Sequence, residues 1–283
     1  MSAALGAAFL RRLAGLFTRS EPRAPSSAPP RPPSSDSPRD VQARLIAHGL
    51  LDPPADGVLG PLSRWAMTLA APPPLRPGDD LPGRIVRAML ARGHFVARHP
   101  ECLNIVYVEG LDADGRANDN APNRFNDLRC LIRVDASGVP RLVGSWEATT
   151  EPSRRWTLDP MNPRGAARIA FGQYKAWALG SHHGHEALVQ VADVTVCRDA
   201  NRDFKRDGDI SDTGLYGINQ HWGYDLPKND LGNSSAGCLV GRTTAGHREF
   251  MRLVKTDKRF LIAGGSYRFI TSVLPASEVA NSE

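Results

Sequence analysis

The sequence predicts an α+β chain, a small helical module followed by a larger β-rich domain. Proline clusters at 22–38 and 72–77 bracket a stretch whose apolar residues recur at helical spacing. From Asn104 onward, short runs rich in Val, Ile and Leu are punctuated by turns such as Asp114-Gly115 and Ser137-Gly138, as strands are. A content of 26 Gly and 23 Pro with 7% aromatics fits a loop-rich, β-containing body.

The 283 residues suffice for a small module plus a catalytic-sized domain, and 41% apolar with 23% charged residues excludes global disorder. No stretch approaches the roughly 20 apolar residues of a spanning helix. The net charge of +5 is uneven: residues 1–98 hold 13 Arg and no Lys against 7 acids, and the remainder is close to neutral. An evenly mixed C-terminal body carries no electrostatic footprint for nucleic acid. The basic excess at the N-terminus suits a polyanionic or membrane-like surface.

Taken in order, residues 1–38 comprise an amphipathic start and a linker. Leu5, Phe9, Leu13 and Phe17 recur every four residues, so 3–18 is a candidate for membrane-surface contact; a poor export signal and a frayed tail are the competing interpretations. Residues 22–38 contain seven prolines in 17 positions, an extended linker. The helical module spans 39–75. A helix over Asp40–Gly49 is followed by the Asp56-Gly57-Val58-Leu59-Gly60 turn and a second helix from Pro61 to about Ala71, with Pro61 and Ser63 as start signals. These residues resemble the peptidoglycan-binding type 1 module, with its "VQ…L…G" helix (here Val41-Gln42, Leu45, Gly49), its "DGxxG" turn and its following helix (Trp65-Ala66). The resemblance implies wall binding, and a fragment ending near Ala71 is expected to sediment with sacculi.

Residues 76–100 form a linker and a helix over about Leu81–Phe95. The β-rich domain spans 101–275, with a tail at 276–283. Expected strands are Asn104–Gly110, Cys130–Val134, Arg141–Trp146, Leu188–Cys197 and a last one near Tyr267–Ile270. A helix is expected at Thr244–Lys255, and periodicity does not choose between strand and helix for Ala166–Gly180.

The chemistry concentrates in Gly217-Ile218-Asn219-Gln220-His221-Trp222-Gly223 and Asn233-Ser234-Ser235-Ala236-Gly237-Cys238-Leu239-Val240. A thiol attacks a carbonyl when a base takes its proton, and small flanking residues let the acyl group approach. Backbone N–H groups around Gly237 and Cys238 are the expected oxyanion donors. Cys238 paired with His221 is expected to titrate below the reference of about 8.5.

This pair of segments resembles the signature of the L,D-transpeptidase (YkuD-type) family, a His followed after a short excursion by "S-H-G-C-hydrophobic". The resemblance implies Cys238 as nucleophile, His221 as base, Ser235 as the motif serine and Gly237 as the motif glycine. Ala236 stands where many members carry a second His. Val240 stands where an Arg is common, and Arg242 is the candidate to bind a substrate carboxylate in its stead. His183, Trp222 and Tyr174 are further candidates for the substrate-binding wall.

The implied activity uses neither metal nor cofactor. It acts on peptidoglycan stem peptides through a thioester, in the cell envelope or periplasm, by an export route the N-terminus leaves open. Transpeptidation leads, carboxypeptidase or endopeptidase activity is the alternative, and a non-catalytic wall-binding protein is the alternative from a different class.

Other polar clusters carry less. The run His182-His183-Gly184-His185 is rich in ligand types, but neighbouring residues on a strand face opposite ways and no HExxH is present. Asp199, Asn201, Asp203, Asp207 and Asp209 imitate the start of a calcium loop, with Phe204 where Gly belongs and Ile210 where Glu belongs. Cys102, Cys130, Cys197 and Cys238 show no CxxC pair and leave the disulfide state open.

Overall fold

The computed structural model describes residues 36–280. The amphipathic start at 3–18 and most of the proline-rich linker lie outside the described residues.

Helix α1 (Pro38–Ala47) starts on a capping box, with Ser37 accepting from the Asp40 N–H and Asp40 reaching back to Ser37. The Val41-Gln42 and Asp56-Gly57 signals have a physical basis. The buried Gln42 amide donates to Asp56 Oδ1 at 2.8 Å and Val58 O at 3.0 Å, and accepts the Gly57 N–H at 2.7 Å. Gly57 takes φ +85°, which favours glycine. Helix α2 (Pro61–Ala66) is shorter than expected, and α3 (Leu81–Ala91), capped by Asp80, stops before Phe95.

Eight strands close into a barrel in the order β1-β11-β5-β6-β9-β10-β3-β2. Their ranges are β1 Asn104–Glu109, β2 Asp127–Val134, β3 Pro140–Thr149, β5 Gly172–His182, β6 His185–Gln190, β9 Gln220–Trp222, β10 Leu239–Gly241 and β11 Phe269–Pro275. The pairs β1–β11 and β9–β10 are parallel; the others are antiparallel. A separate antiparallel sheet is formed by β4 (Ala166–Ile169), β7 (Val194–Asp199) and β8 (Ile210–Gly214). The ambiguous 166–180 stretch is therefore strand twice over, and the single expected strand at Leu188–Cys197 divides between two sheets.

All of β1 is buried because both of its faces are covered. Ile105 and Tyr107 join Leu131, Trp177, Leu188 and Leu239 in one core, while Val106 and Val108 pack with Ile85, Val86 and Met89 of α3. Helix α4 (Arg154–Leu158) and the amphipathic α5 (Thr244–Val254), capped by Thr243, complete the surround with α6 (Lys258–Ala263). Leu62 of α2 packs against both the module's small cluster and the barrel core, so the helical segment shares its interior with the β domain.

The 199–209 loop turns its carboxylates on its own backbone. Asp199 accepts from the N–H groups of Asp203 (3.2 Å) and Phe204 (3.0 Å), and Arg206 is latched to buried Glu109 and to Ile169 O. Among the described residues no group of three His, Cys, Asp or Glu is placed to hold a metal ion. All four cysteines are free thiols.

Candidate active site

Strands β9 and β10 run parallel with His221 opposite Val240 and Gln220 opposite Leu239. Alternation sends Gln220 and Leu239 into the barrel, where Gln220 donates to Thr271 Oγ1 at 2.9 Å. His221 and Cys238, two residues before Val240, then share the other face. Both line a cavity of about 580 Å³, with Trp156, Met161, His182 and Arg198 among its walls.

The nucleophile's loop is held from several sides. The Ser235 hydroxyl lies 2.7 Å from Glu151 O and 3.0 Å from Cys238 O, and accepts the Gly237 N–H at 3.2 Å. The Ser153 N–H donates to Ser235 O at 2.8 Å, and Trp156 Nε1–H to Asn233 O at 3.2 Å. Gly237 sits at φ +128°, and a Cβ there would lie 2.3 Å from Ala167 O. Ser235 is thus a loop-positioning group. The Gly237 N–H, expected to serve an oxyanion, is occupied by it.

The Cys238 thiol donates to Gly217 O at 3.4 Å and accepts from the Asn219 N–H at 3.5 Å. Burial pushes it up to about 11, against the small lowering from the Asn219 bond. This reverses the expected depression. The loss of solvation outweighs the Asn219 N–H bond, because no cation among the described residues contributes to offset it.

His221 shows the matching effect. Burial, with a contribution from neighbouring His182, brings it down to about 4. Its Nδ1 lies 2.7 Å from Trp222 O, a pure acceptor, so Nδ1 carries the proton and Nε2 presents a lone pair. That Nε2 is buried without a hydrogen-bond partner. At rest the cavity thus holds a neutral thiol and a neutral imidazole.

The predicted substrate residues divide. His183 lines the cavity, as does His182. The two-residue turn His183-Gly184, at φ +49° and +80°, joins β5 to β6 and brings His182 opposite His185, so the run is a hairpin tip. Arg242 lies outside the cavity lining, with Nε on Glu147 Oε2 at 2.6 Å and Nη1 on Leu226 O at 3.3 Å. The Trp222 ring packs against His185 and His247, and only its carbonyl serves the site. Tyr174 donates to Ala170 O at 2.9 Å and packs edge-on to Trp177 in the core. Neither ring lines the cavity.

The cation that does line it is Arg198 of β7, which sequence reasoning missed. Its guanidinium lies 4.5 Å from the centre of the Tyr216 ring and 3.2 Å from Asp212 Oδ2. Asp212 is shared with Arg164, so the three groups together carry one net positive charge. Among the described residues lining the cavity there is no Asp or Glu. No local signal marks Arg198, because it reaches the cavity through a second sheet that the site motif does not include.

The chain matches no protein-family model, no curated protein and no solved structure.

Proposed function

We propose that the protein is a cysteine enzyme that modifies peptidoglycan stem peptides through a thioester on Cys238, most readily as an L,D-transpeptidase-like acyltransferase. In this proposal the 39–75 segment is a peptidoglycan-binding-like module that raises local substrate concentration, and the site of action is the cell envelope. The observation that supports it is that Cys238 and His221, whose Nε2 is bare, line one cavity large enough for a peptide segment.

In the forward step His221 Nε2 takes the thiol proton as Sγ attacks the donor's carbonyl carbon. The tetrahedral adduct collapses, the C–N bond breaks, and the departing amine takes that proton from His221. An acceptor amine then attacks the thioester, His221 removes the acceptor's proton, and the returning proton regenerates the thiol. Water in place of the amine gives hydrolysis. Neutral resting partners suit this route, because the proton moves only once a carbonyl is present. The net positive charge at Arg198 and Arg164 suits a donor that carries a free carboxylate.

Purified sacculi treated with wild type, Cys238→Ala and His221→Ala, followed by muropeptide analysis, test the proposal. Cys238-dependent gain of cross-links means transfer, and loss of cross-links means hydrolysis. Identical muropeptides from wild type and Cys238→Ala overturn it and leave a wall-binding role.

A further inference from the structure

Of the three imidazoles that line this cavity among the described residues, His182 and His221 are stacked, and their hydrogen bonds assign them opposite tautomers. His182, the last residue of β5, stacks on His221 with ring centres 4.3 Å apart and planes 23° apart. Its Nδ1 lies 3.0 Å from the Asn219 side-chain nitrogen. The orientation of that amide is fixed independently, because Asn219 Oδ1 accepts the Gln190 backbone N–H at 2.9 Å, and a backbone N–H only donates. The amide nitrogen therefore faces the ring, His182 Nδ1 accepts from it, and the ring proton resides on Nε2. His221 is the reverse, with its proton on Nδ1 held by Trp222 O and a lone pair on Nε2. One ring is a proton acceptor and the ring stacked on it is a donor.

The site has a use for such a donor. Attack on a carbonyl places negative charge on its oxygen, and of the two backbone N–H groups expected to meet it that of Gly237 is bound to Ser235, which leaves at most the Cys238 N–H and a place for a second donor. Ala236 contributes only a methyl group. Arg198, held by Asp212 and Tyr216, is the group proposed above to meet the donor's carboxylate.

Resting on the acyl-enzyme function proposed above, the geometry points to His182 Nε2–H as a side-chain hydrogen-bond donor to the acyl oxygen as Cys238 attacks, with Asn219 as the positioning residue that fixes its tautomer. Burial and the neighbouring His183 lower the His182 pKa, so the ring donates as a neutral imidazole and does not deliver its proton outright. Asn219 links the whole arrangement. Its backbone N–H contacts the thiol, its carbonyl accepts the Leu239 N–H at 2.9 Å, and its side chain orients His182.

The test uses the full-length protein and two reactions of the same thiol. Acylation by a murein tetrapeptide, followed by intact-protein mass, develops an oxyanion; alkylation by iodoacetamide does not. His182→Phe keeps a stacked ring and removes the donor, whereas His182→Gln restores an N–H. Acylation by His182→Phe should fall about 10²–10³-fold, with alkylation within about twofold of wild type and with partial recovery of acylation in His182→Gln. Acylation at the wild-type rate in His182→Phe overturns the assignment of His182 alone. Acylation and alkylation falling together also overturn it, since that marks a ring that merely supports the site. No adduct in wild type, with Cys238 still alkylated, overturns the acyl-enzyme function itself and this assignment with it.

Discussion

Asp52 and Arg259 stand 207 residues apart in the chain and meet at 2.7 Å between Oδ1 and Nη1, both almost wholly buried. Asp257 holds the other side of the guanidinium at 2.6 Å, and the Tyr267 hydroxyl donates to Asp52 Oδ2 at 2.8 Å. The loop after α1 is thereby joined to the C-terminal part of the β domain by a desolvated, fully hydrogen-bonded cluster.

That junction changes what the helical module can do alone. Removing one partner of a buried pair strands the other, so Asp52→Asn should cost about 3–5 kcal/mol of stability in urea unfolding. A fragment ending near Ala71 would lose both the junction and the barrel side of Leu62. Such a fragment should show little helical circular dichroism, so the expectation that it sediments with sacculi by itself is revised. A folded, cooperative fragment would contradict this.

The second prediction concerns pH. With Cys238 pushed up to about 11 and His221 down to about 4, thiolate is scarce at neutral pH. Iodoacetamide should react slowly at pH 7–8 and faster through the alkaline range, with a midpoint well above the reference of about 8.5. Because His221 becomes protonated only near its depressed value, kcat/KM should keep its base down to about pH 5 and fall below that. An alkylation midpoint at or below the reference would show that a charged Cys–His pair exists at rest after all.

Much of this was legible before the fold was known, and the rest was hidden for physical reasons. Apolar residues at helical spacing and the proline at 61 are local chemistry, so the four expected helices begin within two residues of their expected starts. Cys238 and His221 were legible because each sits in a short local motif, His221 on β9 and Cys238 immediately before β10. Strands β9 and β10 were missed because three residues make no periodic pattern. The place of His182 was obscured by treating His182–His185 as loose ligands, although His183-Gly184 between two apolar runs is itself a hairpin signal. Arg198 reaches the cavity only through a sheet crossing that no local window contains.

A third prediction isolates the backbone of the nucleophile loop. Gly237→Ala combines a φ of +128° with a Cβ 2.3 Å from Ala167 O, a backbone atom of β4 that cannot swing away. Gly184→Ala, at φ +80° with open space around it, carries only the conformational penalty. Gly184→Ala should therefore cost about 1 kcal/mol. Gly237→Ala should cost more and displace Cys238, lowering acylation by about 10²-fold. Equal melting temperatures for the two variants would show that the loop relaxes freely.

The last prediction separates two arginines. Arg242 is the residue nearest the motif, but Glu147 and Leu226 O hold it away from the cavity. Arg198 lies more than a strand away in sequence and lines the cavity over Tyr216. Its charge is only partly spent, since Arg164 shares the same Asp212 carboxylate. A donor carboxylate entering the cavity therefore meets net positive charge and a side chain already ordered by ring and ion pair, which lowers the entropy lost on binding. One charge-assisted hydrogen bond contributes about 1.5–3 kcal/mol. Arg198→Gln should accordingly raise KM for a donor with a free carboxylate by about 10–100-fold and leave KM for the amidated donor nearly unchanged. Asp212→Asn, which frees both guanidiniums, should shift the preference further toward the anionic donor. Arg242→Gln should lose no more than about 1 kcal/mol of stability, as befits a partly exposed ion pair, with the same preference as wild type. Steady-state kinetics with the two donors on all three variants decides the matter. If Arg242→Gln, and not Arg198→Gln, abolishes the preference, the carboxylate is recognised on the Glu147 side of the barrel.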